Sequence, residues 1–346
     1  MSIRSEPAET RAEEVSSAPL VLVTGASGFI GRRVVARLLA GGYRVRALVR
    51  SESTSRLRGL SGVSLEVGDV RDPEAVARAV ADVQWVVHAA ADTTGTLEGG
   101  RETTIQGTRN VLEAARSAGT RRVVYVSSCS VYRYVGVPDG TVLQETSPLE
   151  PRPERRGPYS WAKTVADQEV ERMAEALGVD VVRLRPGLVY GPGGDPANPM
   201  VGLTLGGRLF LTIRRAGHRL PLVHVDDLAE AIVRVLERPE AGGQTFNVVG
   251  PAPVSKEEFV ESVVRPAHPQ RVYIDMPYGA LYVVVALAEG LAKVCRVRPP
   301  LTRYRLSSSQ SRVTISARRL EEVVGWQPTR SMGDVVAAAP EGMASS

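Results

Sequence analysis

Short apolar runs and amphipathic runs alternate along the first half of this chain. Segments 20–24, 44–49, 64–67, 85–88, 122–127 and 180–185 are Val-rich and read as strands, with the continuous apolar character of strands buried on both faces. Between them, 30–40, 73–81, 104–118 and 159–177 carry apolar residues at helical spacing. This alternation predicts parallel strands joined by crossover helices, hence an α/β fold with a doubly wound parallel sheet. The pattern breaks after Tyr190 at Gly191-Pro192-Gly193-Gly194, followed by Pro196 and Pro199. Apolar sequence at 222–236 and 245–249 is expected to return to the sheet, and the chain leaves it again from Pro251. A further apolar stretch at 276–294 reads as a helix.

The first strand runs directly into Gly25-Ala26-Ser27-Gly28-Phe29-Ile30-Gly31, which opens the first helix. Glycines between the first strand and first helix of a wound sheet let backbone N–H groups and the helix N-terminus face a pyrophosphate. Gly25 is expected to make the tight turn, Gly28 the close approach and Gly31 the contact between helix and sheet, with Ser27, Phe29 and Ile30 on the same turn. The second strand ends in Val49-Arg50-Ser51, where a site for NAD would place an acid to accept from the ribose hydroxyls. Arg50 instead offers a planar fork to a 2′-phosphate, which favours NADP(H) over NAD(H); otherwise it is a solvated arginine at a strand end. The expected organisation is a loose tail over 1–18, an NADP(H)-binding Rossmann domain from 19–190 plus 220–250, and a smaller, discontinuous C-terminal substrate domain from 191–219 plus 251–340.

Tyr159 and Lys163 stand four residues apart on a predicted helix and therefore share a face. A tyrosine near its ordinary pKa of ~10 exchanges protons poorly at neutral pH, and a neighbouring ammonium favours its phenolate. The pair suits a proton shuttle. Ser128 follows the strand at 122–127, at the rim where open α/β sheets bind ligands, and is the candidate for polarising a substrate oxygen. The expected catalytic set is Ser128, Tyr159 and Lys163.

Together with Gly68-Asp69-Val70, His88-Ala89-Ala90-Ala91 and Arg185-Pro186-Gly187-Leu188-Val189-Tyr190, these motifs resemble the extended short-chain dehydrogenase/reductase family over nearly the whole chain. The resemblance implies a nicotinamide cofactor along the strand ends, with Asp69 and Val70 near adenine and Ala89 and Ala90 near the phosphates. It places Lys163 on the nicotinamide ribose and Pro186 to Val189 beside the nicotinamide. Where the family often carries Asn in a proton relay, this chain has Thr104. The Leu-Pro-Leu-Val-His-Val-Asp-Asp run at 220–227 is most similar to the 3β-hydroxysteroid dehydrogenase and dihydroflavonol reductase branch, whose substrates are apolar ring systems. By that analogy the chain is an NADP(H)-dependent ketoreductase or secondary-alcohol dehydrogenase for a steroid-like or polyketide-like substrate. Two alternatives stand beside it: a nucleotide-sugar epimerase or dehydratase with tightly held cofactor, and a non-catalytic dinucleotide sensor. The 276–294 helix reads as a roof for an apolar substrate, as core packing, or as the face of a homodimer.

Composition removes other classes. The 43 basic and 38 acidic residues are scattered, so the net charge of +5 forms no basic stripe for nucleic acid. Two cysteines, Cys129 and Cys295, make no disulfide framework and suit a reducing, cytoplasmic compartment. The four histidines, His88, His218, His224 and His268, lack ligand spacing, and no metal is expected. No run is long enough for the ~20 residues of a spanning helix. Asp226 and Asp227 read as carboxylates capping a helix start.

Overall fold

The structure is a computed structural model that describes residues 18–52, 56–197, 200–297, 299 and 301–332; the expected tail before Ala18 and the end of the expected substrate domain after Met332 lie outside the described residues. Along the first half run β1 (Leu20–Thr24), β2 (Arg44–Val49), β3 (Val63–Val67), β4 (Trp85–His88), β5 (Arg122–Val126) and β6 (Val181–Pro186). Beyond them come β7 (Leu188–Tyr190), β8 (Gly202–Leu205), β9 (Leu209–Arg214), β10 (Leu222–His224), β11 (Thr245–Val248) and β12 (Val272–Pro277). The main helices are α1 (Phe29–Ala40), α2 (Pro73–Val80), α3 (Gly107–Ser117), α4 (Pro158–Leu177), α5 (Val225–Glu237), α6 (Tyr278–Val294), α7 (Arg303–Ser309) and α8 (Arg318–Val324).

Seven strands form the central sheet in the order β11-β6-β5-β4-β1-β2-β3. The pairings of β1 with β2 and β4, of β2 with β3, and of β5 with β4 and β6 are all parallel. Val21, Val23, Val45, Ala47, Val86 and Val123 are fully buried, which is why these strands read as apolar runs rather than alternating ones. The order reverses between β1 and β4, and the crevice outside the carboxyl ends of strands at such a switch point is where wound sheets bind ligands.

Among the described residues the chain divides into two compact units. One gathers the residues up to Ser127 with Val165–Leu184 and Ala229–Thr245; the other gathers Ser128–Thr164, Arg185–Leu228 and the residues from Phe246 onward. In the first, Arg122 is nearly buried at the start of β5, with Nε on Asp180 at 2.7 Å and Nη1 on the carbonyls of Val235 at 2.7 Å and Arg238 at 2.6 Å. It thereby supplies donors to the carboxyl end of α5, where carbonyls lack helical partners.

Two expectations change in the second unit. Leu222–His224 pairs in parallel with β7 as a separate two-stranded sheet instead of joining the central one. Met276, expected on a helix, lies on a strand: β12 runs through Pro277, whose extended backbone starts α6 at Tyr278. An apolar run does not by itself tell strand from helix, and the Val272-Tyr273-Ile274 start carries the β-branched and aromatic residues that favour the strand.

A three-stranded sheet in the order β12-β9-β8 carries the rest of this unit, with Phe210, Phe259, Leu220 and Val264 in its core. Beside that core lies a buried basic group. His218 bonds the backbone of Ser309, while its Nδ1 has no partner. Lys256 Nζ meets Gln310 Oε1 at 3.1 Å. Burial, reinforced by the Lys256 charge, pushes the imidazole down to about 3, and burial pushes the Lys256 ammonium down to about 8. Because the unfolded histidine titrates near ~6.5, the unfolded chain binds more protons below that pH and stability falls as pH drops from ~6.5 toward 3. His218→Gln is expected to flatten that part of the dependence, read as the urea midpoint against pH; equal slopes in the two proteins would contradict it.

Candidate functional site

In the first unit the loop after β1 is built backbone against backbone. Gly25 has φ +68°, and a Cβ there would stand 2.8 Å from Ala90 N and 2.9 Å from the Ala89 carbonyl, so only glycine lets the turn pass the chain leaving β4. Gly28 N–H donates to Gly25 O at 2.9 Å. A Cβ on Gly31 would fall 2.1 Å from the same oxygen, which brings the first turn of α1 down onto the loop. Ser27 and Gly28 are exposed, with Phe29 and Ile30 partly so. The helix start has neither a side-chain cap nor an acidic residue in its first turn, so its N–H groups are left for an external anion. This cradle fits a dinucleotide pyrophosphate.

The surroundings are fixed by hydrogen bonds. His88 bridges Thr24 Oγ1 through Nδ1 at 2.7 Å and Thr108 Oγ1 through Nε2 at 3.0 Å, so it is a buried structural residue. Thr104 is buried in a π-helical segment, Gly100–Gln106, that leads into α3. Its hydroxyl accepts from Asp92 N–H at 2.9 Å, tying the chain beyond Ala89 and Ala90 to the helix. Arg50 is exposed just past β2. The Arg71 guanidinium beside Asp69 holds that carboxyl below its usual range, with Arg50 adding a smaller pull. Asp69 is thus already engaged, at 2.9 and 3.0 Å, by the fork of Arg71. Val70 is buried against Gly107, and its carbonyl accepts from Asn110 Nδ2 at 2.9 Å.

The second unit holds Ser128, Tyr159 and Lys163 together. Ser128 follows β5 and caps a short turn at Cys129–Val131, accepting from Ser130 N–H at 3.1 Å. Its side chain is hydrogen bonded to the Tyr159 hydroxyl. Tyr159 is 41 % exposed; desolvation holds its phenol above the ordinary value, against the opposing hydrogen bond of Ser128. Lys163, one turn further along α4, is buried. Pro186 is buried at the end of β6, and Val189 is partly buried on β7. Between them Gly187 has no room for a side chain, since its Cβ would meet Pro221 O at 1.9 Å.

Three contributors were not anticipated from the sequence. Arg156, three residues before Tyr159, donates to the carbonyls of Ser130 at 2.5 Å and Tyr132 at 2.9 Å, pinning the turn that carries Ser128 to the segment that carries Tyr159. Arg185 Nη1 reaches Tyr132 Oη at 3.1 Å, and Tyr132 donates to Asn247 Oδ1 at 2.6 Å. Asp227 is a clamp as well as a first-turn carboxylate: it accepts from Thr329 Oγ1, Arg330 N and Arg330 Nη1 at 2.9 to 3.0 Å, while its carbonyl takes Trp326 Nε1 at 3.1 Å. Among the described residues no group of three or more His, Cys, Asp or Glu could hold a metal ion.

A wound parallel sheet with a glycine-lined first turn, joined in one chain to a Ser, Tyr and Lys set, defines the extended short-chain dehydrogenase/reductases. Residues 21–249 match the NAD dependent epimerase/dehydratase family, and the chain belongs to that family. It is 30% identical over 294 residues to 2-alkyl-3-oxoalkanoate reductase of Stenotrophomonas maltophilia, covering 82% of this chain and 87% of the relative. It is 31% identical over 246 residues to dihydroflavonol 4-reductase of Hordeum vulgare, covering 65% and 69%. The Thermus thermophilus UDP-glucose 4-epimerase, solved with NAD, superposes with a TM-score of 0.68 at 25% identity, covering 93% of this chain and all of that one. The chain is therefore an enzyme of a family that binds NAD(P) and acts as reductase, dehydrogenase or epimerase.

The Thr104 contact has a measurable weight. Thr104→Val keeps the shape but strips the Asp92 N–H of its acceptor, and is expected to lower unfolding free energy by roughly 1–3 kcal/mol in urea titration. A smaller loss for Thr104→Ser, which keeps the hydroxyl, completes the expectation.

Proposed function

We propose that this enzyme is an NADP(H)-dependent reductase acting on a carbonyl group of an apolar, ring-bearing or polyketide-like small molecule. The hydrogen bond between Ser128 and Tyr159, with Lys163 a helical turn away, is the observation that carries the reading. A bound nicotinamide supplies or takes up the hydride. The protein's own part is the proton. Desolvation keeps the Tyr159 hydroxyl protonated, which suits a donor to a carbonyl oxygen in the reductive direction. The Ser128 hydroxyl, fixed by Ser130 N–H, holds the substrate oxygen beside it. The Lys163 ammonium on the same helical face lowers the cost of the phenolate left behind.

The preference for NADP(H) rests on Arg50, exposed where an NAD site would carry an acid, and on the drain of Asp69 into its pairing with Arg71. The substrate class draws support from relatives named for reducing 2-alkyl-3-oxoalkanoates and dihydroflavonols. The family's epimerase chemistry is the competing reading, supported by the likeness to a UDP-glucose 4-epimerase. An epimerase would hold its cofactor through purification and consume no added NADPH on turnover.

Tyr159→Phe is expected to lower carbonyl reduction by roughly 10²–10⁴ in kcat with NADPH binding intact, measured as absorbance loss of the cofactor. Full turnover by that variant would overturn the assignment. Arg50→Ala is expected to raise KM for NADPH roughly tenfold or more while leaving NADH unaffected; equal changes for both cofactors would rule out a 2′-phosphate role.

A further inference from the structure

Ten of the sixteen exposed large apolar residues of the described chain fall on two neighbouring elements of the second unit, the three-stranded sheet and α6 with the turn after it. In the sheet, Leu205, Leu209 and Val272 stand in one row across β8, β9 and β12, and Leu203, Leu211 and Ile274 in the next. Rows two residues apart share a face, so all six side chains project together. The next row on that face, Ile213 with Met276, is covered: Ile213 packs with Leu281 and Val285 on the inner side of α6. The helix therefore roofs one end of an apolar face and leaves the other open. Its own outer stripe is apolar too, with Val283, Val284, Leu287, Leu291 and Val294 exposed, continued by Val297.

A surface of this kind is unusual on a monomer and marks a contact site. Charge identifies the contact. Segments 200–215 and 271–298 hold seven Arg or Lys against only Asp275 and Glu289. Both acids are already engaged, Asp275 by Thr212 and Arg214 and Glu289 by Arg303. Arg208 at the β8–β9 turn and Lys293 and Arg296 at the end of α6 are exposed. Pairing this face with a second copy about a two-fold axis would press like-charged rims together. No helix among the described residues is long and apolar enough to cross a membrane. An apolar stripe flanked by Lys and Arg is instead the composition of a helix lying in a bilayer interface beside anionic headgroups. We propose that the face formed by α6 and the β8, β9 and β12 sheet docks the protein on the surface of an anionic bilayer, with α6 in the interfacial plane. The catalytic reading does not enter this inference.

Co-sedimentation of the full chain with large unilamellar vesicles tests it. The protein is expected to sediment with mixed phosphatidylcholine and phosphatidylglycerol vesicles and to be released by high salt. Leu287→Glu combined with Leu291→Glu, at positions exposed enough to leave folding intact, is expected to weaken binding roughly tenfold or more, as is Lys293→Glu combined with Arg296→Glu. Thermal melting of each variant confirms that it is folded. The proposal is overturned if the protein stays in solution with these vesicles, if neither pair changes binding, or if vesicles of phosphatidylcholine alone bind as tightly. A dimer that Leu287→Glu with Leu291→Glu dissociates, without vesicle binding by the parent, would assign the face to a second copy.

Discussion

Backbone touches backbone where β1 turns into α1, and the switch-point end of the sheet depends on that contact. The Gly25 carbonyl accepts from Gly28 and lies where a side chain on Gly31 would have to go. The same turn leaves no space for a side chain facing Ala89 and Ala90. Close approach on both sides brings the free N–H groups of a twelve-residue helix to the switch point of the sheet. His88, held between Thr24 and Thr108, keeps β1, β4 and the following helix in fixed relation beneath it.

Two consecutive serines tie the end of β5 to α4. Ser127 is buried and donates to Asp167, which also pairs with Arg183 at 3.4 Å. Ser128 turns to the Tyr159 hydroxyl. Asp167 lies four residues beyond Lys163, and Lys163 four beyond Tyr159, so the end of one strand is bonded to the same helical stripe in two places. Such anchoring restricts the positions open to the Tyr159 hydroxyl, as the proposed proton transfer would require.

Much of this was legible in the residue pattern. The inner sheet strands read as apolar runs because they are covered on both faces, whereas β3, read the same way, is an edge strand with Ser64 and Val67 exposed; Tyr159 with Lys163 read as a pair because helical spacing makes them neighbours. What was hidden acts across long separations or through irregular backbone. Arg156 works through a long side chain that finds two carbonyls on a different segment, a contact with no period in the sequence. Asp227 looks like a capping carboxylate from its neighbours alone, and only folding brings Trp326 and Arg330 to it. Met276 fell on the wrong element because an apolar run is silent about whether it pairs as a strand or coils.

The π-helical turn at Gly100–Gln106 reads differently when seen as a record of length. A π-helical turn accommodates one residue more than the α-helical turn it replaces, and so shifts the phase of everything beyond it by about 100°. Here Thr104 bonds the loop after β4 while Asn110, Val111 and Ala115 on α3 stay buried, Asn110 on the Val70 carbonyl. Removing a single residue from that turn would let the helix close into regular form, but at the cost of one register or the other. The segment therefore ties its own length to two contacts at once, and the loss of one residue is felt in whichever of them gives way.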